Sequence, residues 1–240
     1  MESYNYNRVY SGEQTLQQYM TKVFGVMGSG LAITALVAGL GYYSWITGGI
    51  VFQIYARFYT VISLVSLFVQ LGICVALGKG ITTRSVGKTR MLFYVYSAIT
   101  GLTFSFLPLT FGITTVFTAF AFAAVMFISC AVIGHFTNVD MSKFSGLLMG
   151  GLFALVLITL LGMFIPAIGN SMLISYVGVA LFLGLTAWDM QRIRAFYYQS
   201  AGDATLTGNL AVYGAFELYL DFINIFLYIL RIMGSSSSND

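Results

Sequence analysis

The sequence predicts an all-α integral membrane protein, a seven-transmembrane-helix bundle with the C-terminal helix near the centre. Two observations carry this. Of 240 residues, 58% are hydrophobic and only 8% charged, against about 25% charged in an average soluble domain. Such a chain cannot cover itself with a water-facing surface. Several apolar runs also reach about 20 residues, the length that about 30 Å of hydrocarbon demands of a helix.

Polar or glycine-rich breaks between the apolar runs place the spans in order. Span one, 22–43, follows "MESYNYNRVYSGEQTLQQYMT", a polar tail over 1–21 that lacks the basic start, apolar core and small-residue cleavage site of a removed leader. Span two, 59–78, ends where "GKGITTRSVGKTR" begins. Spans three and four, 91–109 and 113–134, are separated by "LPLTFGI", and spans five and six, 146–166 and 171–190, by "FIPAIGNS". These connections hold the only two prolines, Pro108 and Pro166, where a helix can stop without losing an interior hydrogen bond. Both read as tight hairpins at a membrane face. Span seven, 210–232, follows a longer connection, and "GSSSSND" closes the chain as a disordered tail. The domain organisation is thus a polar tail over 1–21, one seven-helix transmembrane domain over 22–232, and a tail over 233–240.

Seven crossings put Arg8, Lys22, Lys79, Arg84, Lys88, Arg90, Lys143, Arg192 and Arg194 on one side, with Arg57 and Arg231 on the other. The bias predicts a cytoplasmic N-terminus. The C-terminus is then outside if span seven crosses fully, and inside if that segment is re-entrant. With no targeting element evident, the expected location is a bacterial plasma (inner) membrane.

Several functions are excluded or disfavoured. The net charge of +3 comes from scattered basic residues, which gives no nucleic-acid footprint. Cys74 and Cys130 fall inside spans, where thiols behave as small apolar groups. His135, in "VIGHFTNVD", has no second histidine or cysteine pair near it in sequence to build a metal site and no serine partner for proteolysis. A retinal-type receptor needs a lysine in the last span, and "ELYLDFINIFLYILRI" has none. No enzyme activity and no cofactor are expected. "GLLMG", Gly146 to Gly150, has the spacing that lets membrane helices approach closely, and reads as packing inside the bundle.

The eight acidic residues sort themselves. Glu2, Glu13, Asp140, Asp203 and Asp240 lie in tails or connections and read as solvated. Asp189, in "GLTAWDMQRIR", sits at the inner end of span six about one turn before Arg192. Asp221 lies near mid-depth of span seven, where a charged aspartate costs roughly 2.5 to 3.5 kcal/mol on insertion scales. It needs a proton, a cation or a partner. Glu217, Asp221, Asn224 and Tyr228 share one helical stripe. The stripe serves either as a structural knot, hydrogen-bonded or ion-paired to Arg84 or Arg192, or as an ion or proton pathway with Glu217 and Asn224 at its mouth.

"TAWDMQRI" followed by "ELYLDFINIFLYILRI", together with "YSAITGLTFS" in span three, resembles the Bax inhibitor family, also called the transmembrane Bax inhibitor motif family. The resemblance covers nearly the whole chain and suggests a bacterial-type member. It implies calcium leak across a membrane, controlled by pH through two aspartates on the last two helices, which map onto Asp189 and Asp221. It also implies a basic residue from the span-two region engaging the pair, for which Arg84 is the candidate. Bacterial relatives are associated with modulating a membrane protease, and eukaryotic ones with restraining cell death. A membrane-embedded interaction protein is therefore the alternative function, and proton-coupled transport of a small solute a third.

The chemistry of such a pair follows from elementary physics. Two carboxylates within hydrogen-bonding distance in a low-dielectric site cannot comfortably both ionise, so they share a proton. Loss of that proton separates the helices by repulsion. Asp189 and Asp221 would then be transient ligands for a permeant calcium ion, which accepts oxygen ligands in flexible geometry.

Overall fold

The structure, a computed structural model, describes residues 15–137, 139–162, 165, 171–200 and 202–236. Most of the expected N-terminal tail, the chain beyond 236 and Pro166 lie outside the described residues. Among the described residues every regular element is helical.

Helix α1, Leu16–Thr47, opens on a capping box. Thr15 Oγ1 accepts from the Gln18 amide at 3.2 Å, and the Thr15 amide donates to Gln18 Oε1 at 3.1 Å, which satisfies two orphan donors at once. The helix ends at Gly48, whose φ of 68° is the left-handed cap that glycine adopts without strain. Helix α2, Ile50–Lys79, breaks at Phe58 (φ −130°, ψ 27°), leaving Thr60–Lys79 as its membrane-length part. Helix α3, Val86–Phe104, and the short α4, Leu107–Phe111, form the third span. Pro108 stands in the first turn of α4, where its missing N–H is not needed. The chain reverses at Gly112, φ 81°, into α5, Ile113–Phe136.

A 3₁₀ turn, Met141–Phe144, leads into α6, Ser145–Gly162. Asp140 caps that turn, accepting from the Ser142 hydroxyl at 2.6 Å and the Ser142 amide at 3.1 Å. These bonds hold its carboxyl below the usual carboxylate range. Helices α7, Met172–Gln199, and α8, Ala204–Ser236, complete the order. Asp203 Oδ1 caps α8 by accepting from the amides of Thr205 and Leu206 at 2.9 and 2.8 Å.

Among the described residues seven helices are long and apolar enough to cross a membrane, matching the seven expected spans. Their ends reach further than expected: α1 begins at Leu16, α7 runs to Gln199, and α8 starts at Ala204. A helix of 32 residues is about 48 Å long and overshoots the hydrocarbon. Its projecting turns are polar, so an apolar-run criterion stops short of them.

The described chain forms two compact units. One comprises the chain up to Phe104 with Arg192–Phe216; the other is Ser105–Gln191 with the chain from Glu217 onward. In the first, α1 and α3 approach through small residues. A Cβ on Gly101 would fall 2.6 Å from the Thr34 carbonyl, and Thr34 Oγ1 donates to the Ser97 carbonyl at 3.0 Å. Interhelical bonds of this kind are worth about 0.6 kcal/mol in a membrane. In the second, Gly134 of α5 lies against the backbone of Ala187 on α7. Phe222 of α8 packs edge-on against Phe120 and Phe127 of α5, with centroids at 5.2 and 5.7 Å.

Gly146 and Gly150 do not pack inside the bundle. Both are exposed, and a Cβ on either would meet nothing within 4 Å. The spacing puts both glycines on one face of α6, but that face is directed outward. Helix α8, by contrast, has 72% of its apolar window buried, against 6 to 44% for the other spans. Among the described spans it is the most enclosed.

Candidate functional site

The site is built on α7 and α8. Asp189 is not at the end of its helix, because α7 continues to Gln199. Asp221 stands near the middle of α8, between Ala204 and Ser236. Both belong to the second unit, and both are enclosed, at 6% and 4% exposure. Their helix neighbours are enclosed too: Leu218, Tyr219 and Ile225 near Asp221 are fully buried, as is Thr186, and nearly so Met190, near Asp189.

Within this unit α7 and α8 touch directly. A Cβ on Gly178 of α7 would fall 2.6 Å from the Tyr228 ring of α8, and Phe182 stands 6.1 Å from that ring between centroids. The helices are joined by four residues, 200–203, and run antiparallel. Seven residues from Phe182 toward that connection is Asp189, and seven from Tyr228 in the same direction is Asp221. Seven residues make almost two full turns, about 10.5 Å. Each aspartate therefore shares the face of the aromatic on its own helix that marks the contact.

On α8, Glu217, Leu220, Asn224, Leu227, Tyr228 and Arg231 are half-buried, while the residues between them are enclosed. At 100° per residue these positions form a single face, with Asp221 at its edge. Asn224 Nδ2 donates to the Leu220 carbonyl of its own helix at 2.8 Å. Among the described residues no group of three His, Cys, Asp or Glu side chains comes together as a metal cage.

The two candidate basic partners belong to the first unit. The Arg84 guanidinium folds back over the end of α2, where Nη1 donates to the Ala76 carbonyl at 3.0 Å. A cation there complements the helix's negative end. Arg192 lies over the Phe196 ring, one turn ahead on α7, at 5.3 Å.

Asn209 was not among the residues singled out by sequence. It is fully buried, and its Nδ2 donates to the carbonyls of Ile81 and Arg84 at 2.8 and 2.7 Å. Its Oδ1 accepts from Thr89 Oγ1 at 2.8 Å. One amide thus fastens the α2–α3 connection, including Arg84, to α8. The signal was available: 209, 213, 217 and 221 repeat every four residues, extending the acidic stripe by two turns.

Comparison with known proteins agrees with this architecture. The family model described as "Inhibitor of apoptosis-promoting Bax1" matches residues 16–238. The inner membrane protein YbhL of Escherichia coli is 36% identical over 224 residues, covering 92% of each chain. An uncharacterized protein of Rickettsia prowazekii is 32% identical over 93% of this chain and 92% of its own. An uncharacterized membrane protein of Streptococcus pyogenes is 32% identical over 91% of this chain and 93% of its own. With seven membrane-length helices among the described residues and a match running from the first of them to beyond the last, the chain belongs to the Bax inhibitor family, as a bacterial-type integral membrane member.

Proposed function

We propose that the protein is a pH-sensitive cation leak, with calcium as the permeant ion, held closed by a proton shared between Asp189 and Asp221. The observation that carries this is the burial of both carboxylates on consecutive helices of one unit, at 6% and 4% exposure. A charged aspartate at mid-membrane costs roughly 2.5 to 3.5 kcal/mol, and two facing each other add repulsion. A shared proton removes one charge and supplies a hydrogen bond between α7 and α8. The half-buried face of α8 supports a path beside the pair. Glu217 contributes charge there, and Asn224, with its amide N–H committed to Leu220, presents Oδ1 as a cation ligand.

The sign follows from proton linkage. The closed pair holds one more proton than the open pair, so rising pH favours the open state, by at most about tenfold per pH unit for one proton. The bias of basic residues toward one side of the spans supports a cytoplasmic N-terminus. The test is calcium flux into liposomes containing the purified protein alone, followed between about pH 5 and 8. The wild type should leak more at higher pH, and Asp189→Asn and Asp221→Asn should each flatten the profile. An unchanged profile in both variants overturns the gate. Absence of flux at every pH, with a protease co-purifying, would favour the interaction protein instead.

A further inference from the structure

We propose that a groove between α1 and α3 binds one anionic phospholipid, with Arg90 on the phosphate and an acyl chain along Ile33, Tyr94, Val95 and Ala98. The groove encloses about 380 Å³ and lies wholly within the first unit. Its size falls within the range of small-molecule sites, and its wall is apolar except at one end. Met91 and Val95 on its rim are exposed on a membrane-length helix, so the groove opens toward lipid rather than toward a soluble compartment.

The polar end is Arg90. It is the fifth residue of α3, about 6 Å along the axis from Val86, near the end of a membrane-length helix and so on the side of the headgroups. Its Nε is buried and has no hydrogen-bond partner among the described residues. Nε itself is covered by the protein, so a ligand in the groove that Arg90 lines would meet the terminal guanidinium nitrogens. Phosphate oxygens fit those nitrogens in paired hydrogen bonds. The surrounding charge agrees, since neither α1 nor α3 contains an acidic residue. Lys88 is exposed two residues away, and the positive end of the α3 dipole points to the same region.

The apolar end is shaped to stay open. The Tyr94 hydroxyl bonds to Ser29 Oγ at 2.9 Å, which ties its ring to α1 as a wall. A Cβ on Gly87, at the mouth, would meet nothing within 4 Å, so no side chain closes the entrance. The arrangement is a cation above an apolar slot, the order of chemistry in a phospholipid read from headgroup to tail.

The experiment is native mass spectrometry of the full chain in detergent, titrated with phosphatidylglycerol or with phosphatidylcholine of the same chains. Wild type should retain phosphatidylglycerol several-fold better. Arg90→Gln should lose about fivefold of that retention, the worth of one basic residue at an anionic surface, and Arg90→Lys should recover part of it. Lys143→Gln, which removes an exposed charge in the other unit, should change nothing. Ala98→Phe should weaken both lipids alike by filling the slot. Met91→Ala, at a position exposed to 67%, should do so more mildly without burdening folding. Equal retention of the two lipids by wild type overturns the proposal, as does an equal effect of Arg90→Gln and Lys143→Gln. Competition by glycerol phosphate as strong as by the lipid also overturns it, because the site would then bind a free anion.

Discussion

Asn209 and Asp221 are both buried polar residues of α8, but they do opposite work. Asn209 has a partner for both amide hydrogens and for its oxygen, so it fixes one arrangement of the chain. Asp221 is an ionisable group whose state depends on pH. Asn209→Ala leaves two carbonyls and a hydroxyl without their partner, at a cost of about 1 to 3 kcal/mol. Its thermal midpoint in detergent should fall clearly, while Asn224→Ala, on the half-buried face, should change it little. The same contrast explains what could be read from sequence. A carboxylate in an apolar run announces itself because its desolvation cost is large, so Asp189 and Asp221 stood out. A buried asparagine at the end of a run does not, because an amide there is equally at home in water. Only the partners, 120 residues or more away in the chain, reveal its role.

Helices give a different lesson, about faces. The seven spans were legible because hydrocarbon thickness imposes a length that sequence must meet. Their polar extensions were not, since they obey no such rule. Nor was the direction of a glycine pair legible, because spacing places two glycines on one face without saying what the face meets. Gly134→Ala would set a Cβ 2.5 Å from the Ala187 carbonyl, and backbone on both sides leaves nowhere to relax. It should cost about 1 to 3 kcal/mol, as overpacking does. Gly150→Ala on α6 should be neutral or gain up to about 1 kcal/mol from helix propensity. Thermal unfolding of the two variants side by side checks the pair, and equal loss in both would refute the packing assigned here.

For the whole molecule, the question is how the bundle stands in its membrane. Helix α8 is long enough to cross: its apolar stretch, Ala204–Ser235, has 32 residues, about 48 Å. Reporters fused before Leu16 and after Ser236 should therefore fall on opposite sides, the first in the cytoplasm, as read by labelling of single cysteines with a membrane-impermeant reagent. A reporter pair on one side would mean a re-entrant last helix. The burial of α8 also has a consequence for how the protein is made. Among the described spans it is both the last in the chain and the most enclosed, so the ribosome delivers it after the helices that bury it. Until α8 emerges, the earlier spans wait in the bilayer with their inner faces covered only by lipid or by one another. Assembly is therefore a late event, and quality-control proteases have their best opportunity in that interval.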